Sequence, residues 1–181
     1  MQNAKRAIPT STGRRSMSKR SLMIAATVVV VAIGWYLFRP ELIFVSHSVN
    51  ESFPNVVAQQ ATAATPAPTV LSMGQFHGVA HDAKGMATLY QLPDGKRVLR
   101  FTEFETSNGP DVQIYLVAAS DANDNETVTK AGFIHLGALK GNVGDQNYTV
   151  PVDIDLSKYQ AVTIWCRRFG VNFGTAPLQR S

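Results

Sequence analysis

Seventeen residues from Leu22 to Phe38 form an apolar run interrupted only by Thr27 and Gly34, neither of which carries charge. As a helix this run spans roughly 26 Å at 1.5 Å per residue. That is a little short of a hydrocarbon core of about 30 Å. Lys19, Arg20 and Arg39 flank the run, and their long side chains can reach the headgroup region. Trp35, Tyr36 and Phe38 gather at one end, where aromatic rings favour the interface. The rival reading is a cleaved signal peptide, whose apolar region is about 7–15 residues with a small-residue cleavage site close behind. Here Arg39-Pro40-Glu41 follows the run, and the nearest Ala-x-Ala, Ala61-Thr62-Ala63, lies far downstream. The pattern predicts a retained signal anchor.

The charges around the run predict its orientation. Lys5, Arg6, Arg14, Arg15, Lys19 and Arg20 precede it, only Arg39 follows closely, and no Asp or Glu occurs in residues 1–39. This imbalance holds the N-terminus in the cytoplasm and sends the rest of the chain across the membrane. The expected organisation is a basic cytoplasmic tail (1–20), a transmembrane signal anchor (21–39), an extracytoplasmic spacer (40–70) and a β domain (71–181). A basic tail with a single anchor suggests a bacterial cell envelope.

The net charge of +4 and the pI of about 9.4 invite a nucleic-acid role. The distribution removes it: from Val70 to Ser181 there are ten Lys/Arg and eleven Asp/Glu, so the exported part is near neutral. The excess charge sits in the tail, where it orients the anchor and meets anionic lipid.

Ala58 to Thr69 reads as small polar residues and prolines with almost no bulky side chains, a composition that cannot bury a core. Ahead of it, Leu42-Ile43-Phe44-Val45 either extends the helix or lies along the interface. The remaining 71–181 is enough for one ordinary domain. Its alternation has period two. Val112, Ile114 and Leu116 face one way against Gln113, Tyr115 and Val117, and Val162 and Ile164 oppose Thr163 and Trp165. Pro93-Asp94-Gly95, Asn108-Gly109-Pro110 and Gly141-Asn142 are turn signals between such runs. The fold class expected is all-β, an antiparallel β-sandwich or barrel-like domain behind one N-terminal transmembrane helix.

Several strings in order carry a family likeness: Leu99-Arg100-Phe101-Thr102-Glu103-Phe104, then Thr106 to Leu116 around Asn108-Gly109-Pro110-Asp111, then Leu136 to Tyr148. Tyr159 to Phe169, with Trp165-Cys166 at its centre, and Phe173-Gly174-Thr175-Ala176 complete it. From about Phe76 to Leu178 the chain resembles the DM13 domain. That resemblance implies an all-β extracytoplasmic module proposed to work in electron transfer. It also implies that the lone cysteine of the Trp-Cys string is the redox centre, as a bare thiol or as the ligand of haem or another prosthetic group.

Cys166 is the only cysteine, so no intramolecular disulfide and no Cys-x-x-Cys exchange is available. Three readings of it stand side by side. Alternation puts Cys166 on the face of Val162 and Ile164, which makes it a small buried hydrophobe. Arg167 and Arg168 make a reactive thiolate conceivable, although Arg167 projects to the opposite face. An intermolecular disulfide is the third. His77 and His81 stand four apart, about 13 Å along a strand, too far to share an ion unless a turn intervenes. A thiolate with an imidazole suits haem, copper or iron, so His81 is the candidate partner of Cys166, with Trp165 as its neighbour. No metal-ligand set is expected.

Other motifs fail their patterns. Asp121-Ala122-Asn123-Asp124-Asn125-Glu126 opens like a calcium loop but has Glu126 in place of the turn glycine and Gly132 in place of the final glutamate. Gly137 to Gly144 lacks the Gly-Lys-Ser/Thr order of a phosphate loop, and its glycines read as turn residues. No Gly-x-Ser-x-Gly or His-Glu-x-x-His occurs, which disfavours a hydrolase.

Two functions are therefore expected of this chain. One is a tethered redox module using Cys166 toward an unknown envelope partner. The other is a non-catalytic envelope binding or scaffold module in which Cys166 fills the core. The orientation has its own test. Protease added outside spheroplasts is expected to digest the 71–181 domain, and full protection would contradict the charge-based topology.

Overall fold

The computed structural model describes residues 18–38, 45–54 and 67–180. The chain divides into two units, residues 1–39 and 40–181. In the first, helix α1 runs Lys19–Phe38, and Lys19–Leu37 is long and apolar enough to cross a membrane. Its first turn is capped by Ser18, whose Oγ accepts from the Ser21 amide at 3.2 Å. Leu22, Ile24 and Val28 to Val31 are all exposed on it.

The second unit is an antiparallel sandwich, as the period-two alternation requires. Its strands are β1 (Thr69–Gln75), β2 (His77–Gly78), β3 (Ala83–Gln91), β4 (Arg97–Thr106), β5 (Val112–Val117), β6 (Phe133–Ala138), β7 (Gln146–Val150), β8 (Ala161–Cys166), β9 (Val171–Pro177) and β10 (Gln179–Arg180). One sheet has the order β10-β1-β3-β4-β7, the other β2-β9-β8-β5-β6. Inward side chains of both sheets meet in one cluster that includes Leu89, Leu99, Phe101, Ile114, Leu116 and Ile164. Phe76, Phe101 and Phe104 interlock there, with ring centroids 4.9–5.1 Å apart.

All six residues of β5 and all six of β8 are buried, so these strands are covered on both faces. The outer cover is an arch between β5 and β6 that contains a short helix, α2 (Asn125–Lys130), too short to show a helical period in the sequence. Asp124 caps α2, its Oδ1 accepting from the Thr127 amide at 2.6 Å. Val128 and Ala122 drop onto Tyr115, Val117, Ala161 and Trp165 in a second apolar cluster.

Of the expected spacer, residues 45–54 and 67–70 are described. Residues 55–66 and 39–44, with most of the Ala- and Pro-rich stretch and most of Leu42-Ile43-Phe44-Val45, lie outside the described residues. Residues 45–54 are bound along the β domain. Ser48 bridges Val143 in parallel, and Val143 in turn bridges Glu105 of β4. Phe53 meets the Tyr90 ring edge-on at 5.0 Å. Composition alone does not reveal this, because the bonding groups are mostly backbone.

Phe101 is fully buried and touches three aromatic rings. Phe101→Ala is expected to lower unfolding free energy by about 3–5 kcal/mol. Denaturant unfolding of the full chain in detergent, followed by tryptophan fluorescence, checks this. A loss under about 1 kcal/mol would mean that the inter-sheet core is not packed as described.

Candidate functional site

Strand β8 positions the candidate residues. Its pairing with β5 sets Cys166 opposite Val112, and its pairing with β9 sets it opposite Val171. Alternation then turns Val162, Ile164 and Cys166 inward and Ala161, Thr163 and Trp165 outward. Cys166 is free and fully buried in the inter-sheet cluster with Phe104, Ile114 and Phe173.

Trp165 lies on the opposite face, 6% exposed, with its ring stacked 6.4 Å from Tyr115. It is a neighbour of Cys166 along the chain but not across the core. Arg167 continues outward, where its Nε donates to Asp111 Oδ2 at 2.9 Å. That carboxylate holds the Arg167 guanidinium above its ordinary pKa. The guanidinium is thus committed to Asp111.

His81 stands outside, in the turn after β2. Its ring rests on Phe173 at 4.0 Å between centroids. Phe173 belongs to the cluster that contains Cys166, so the imidazole touches the rim of that core while the thiol lies within it. His77 is four residues away and serves another purpose: its Nε2 meets Asp121 Oδ2 at 3.1 Å and ties β2 to the arch. His135 Nε2 bonds Gln113 Oε1 at 2.8 Å. Among the described residues, no group of three or more His, Cys, Asp and Glu side chains is placed to hold a metal ion.

The chemistry of this arrangement follows from access. Cys166 has no exposed surface, and it does not line the surface cavities of about 250–490 Å³ formed by the described residues around Leu71, Asp82, Asn108 and Leu92. A haem ligated by Cys166 does not fit among the described residues: the fully buried thiol is enclosed by packed side chains of both sheets. The same enclosure bars direct disulfide exchange with a protein partner in this conformation.

Sequence reasoning missed the polar groups of the outer face. The register lines up His77, Thr175, Thr163, Tyr115 and His135 in one row across the sheet. Thr163 Oγ1, Thr175 Oγ1 and Asn172 Oδ1 lie buried there without a protein hydrogen bond among the described residues. Asn172 Nδ2 donates to Ala122 O at 2.6 Å, fastening the arch above them. Period-two alternation gives the face of each threonine, but only the register brings the strands' polar positions together.

Native full-length chain is expected to leave Cys166 unmodified by a water-soluble maleimide, with one equivalent reacting after denaturation. Stoichiometric labelling at native rates, faster than global unfolding, would contradict the enclosure.

Two of the three comparisons returned nothing: neither a search of curated proteins nor a search of solved structures found a match. The third, against family models, matches residues 75–178 to DM13, described as "Electron transfer DM13". The matched span begins at the end of β1, ends after β9 and includes both Trp165 and Cys166. With more than half of its length covered, the chain belongs to the DM13 family.

Proposed function

We propose that this chain is a membrane-tethered, extracytoplasmic DM13 module that takes part in electron transfer. The observation that carries the reading is the family match over 75–178, which spans the whole inter-sheet core around Cys166. The tether is α1, whose apolar surface is exposed throughout and needs lipid to cover it. The basic residues ahead of α1 orient the domain outward, and an envelope redox protein would be its partner.

The geometry restricts the form that such a role takes. Sulfur exchange requires contact between sulfur atoms, which the enclosure of Cys166 denies. Electron transfer through packed protein does not require that contact. In this reading Cys166 is a shielded sulfur, Phe173 links its cluster to the rim, and His81 on Phe173 marks the surface approach.

One observation favours a second reading. Cys166 has no exposed surface among Val112, Ile114, Ile164 and Phe173, which is how a small core hydrophobe behaves. The chain would then be an envelope binding or scaffold module, with the sulfur contributing packing alone.

An absorption spectrum with metal analysis, followed by a redox titration of the full chain in detergent, separates the two readings. The electron-transfer reading predicts a reversible one-electron signal in the wild type that is lost in Cys166→Ser. A chain with no titratable signal, indistinguishable from the mutant, would overturn it and leave the binding module.

A further inference from the structure

We infer that residues 45–54 occupy a built docking groove for an extended, acidic peptide segment, which this chain fills with its own polypeptide. The inference does not depend on the redox reading.

The groove is formed by the 139–145 loop and the start of β7 beside β4, and its floor is held by a buried side chain. Gln146 is fully buried, donating from Nε2 to Gly141 O at 2.7 Å and accepting from the Tyr148 hydroxyl at 2.8 Å. Asn142, 6% exposed, donates to Thr106 O at 3.0 Å and accepts from the His47 amide at 2.6 Å. The walls leave room only for backbone. A Cβ on Gly141 would strike His47 O, and one on Gly144 (φ +101°) would strike Val49 O.

The occupant binds as an added strand does, through main-chain bonds supplemented by the side chains of Asn50, Glu51 and Phe53. Val49 N donates to Val143 O, and Glu51 N to Asp145 O, each at 2.9 Å. Arg100 Nη1 donates to Glu51 O at 3.0 Å, and Asn147 Nδ2 to Ser52 O at 2.9 Å. The side-chain key is Glu51. Its Oε1 accepts from Lys140 Nζ at 2.7 Å, and its Oε2 accepts from the Asn147 amide at 2.7 Å. Arg100 is kept in place by Asp145, 2.6 Å from its Nη2. A groove with two cations at one point and glycine walls along its length selects an extended segment carrying a carboxylate.

The charge at this point also sets a pH signature. Burial raises the Glu51 pKa, but the bonds from Lys140 and the Asn147 amide, with the charges of Lys140 and Arg100, outweigh it and leave the pKa below 4.5. Lys140 and Arg100 face the carboxylate as cations, Tyr148 lies beside Lys140, and Asp145 is taken up by Arg100. A carboxylate with a lowered folded pKa stabilises the fold above its unfolded pKa, and that contribution is lost as pH falls through the folded value. The stability gap between the wild type and Glu51→Gln is therefore present at neutral pH and closes on acidification below 4.5.

Hydrogen exchange on the full chain in detergent tests the docking, with Val162 and Ile164 of β8 as the control for global folding. In the wild type, the Val49 and Glu51 amides are expected to exchange at least about tenfold slower than unstructured rates. Glu51→Lys sets a third cation against Lys140 and Arg100 and is expected to remove that protection while β8 keeps its own. A synthetic peptide of residues 45–54 should then protect the Asn147 amide in the variant and not in the wild type, whose groove is filled. Unstructured rates at Val49 and Glu51 in the wild type, with β8 protected, would overturn the docking. A variant with a released segment that the peptide fails to protect would overturn the groove as a peptide site.

Discussion

The burial of β5 and β8 on both faces is the constraint from which most of this structure follows. An antiparallel strand can face water on one side, yet every residue of these two is buried. Their inner faces need the other sheet, which brings Leu99, Phe101 and Tyr148 against Ile114 and Ile164. Their outer faces need a cover, which is why the β5–β6 connection is a fifteen-residue arch with α2 in it and not a tight turn. Cys166 falls at the end of β8 on the inner face, so the same constraint that folds the sandwich withdraws the thiol from solvent.

The polar elements solve a different problem, the edge of the β4–β7 sheet. Val143 bridges Glu105 on one side and Ser48 on the other, so the docked 45–54 segment continues hydrogen bonding where the sheet would otherwise stop. The Arg100–Asp145 pair is the hub: Asp145 Oδ1 also accepts from the amide of Glu103, whose φ of +52° is unusual for a residue with a side chain. One carboxylate thus supports a strained backbone position, orients a guanidinium and borders the groove.

Much of this was legible in the sequence. The alternation at Val112–Val117 and Val162–Cys166 gave strands, and it gave Cys166 its inward face; the apolar run gave α1. Gly144 takes the positive φ expected of a turn glycine, whereas Gly137, also at positive φ, lies inside β6 beside a shift in its register with β5. What was not legible depends on distant pairing. Residues 45–54 bind largely through backbone, which leaves little trace in side-chain pattern, and Glu51 meets Lys140 across 89 positions. Six-residue α2 is too short to show helical periodicity and is signalled only by Asp124 as its cap. The pairing of Cys166 with His81 rested on ligand chemistry; the fold puts one inside the core and the other on its rim.

Cys166 lies as a shielded thiol within the inter-sheet core. Infrared difference spectroscopy of the S–H stretch in the full chain, wild type minus Cys166→Ser, reads this state directly. The account predicts one S–H band at a frequency typical of an apolar environment, present without added reductant. A missing band, or one that emerges only after reduction or extraction of a bound group, would show that the sulfur is ligated or oxidised and would contradict the closed core.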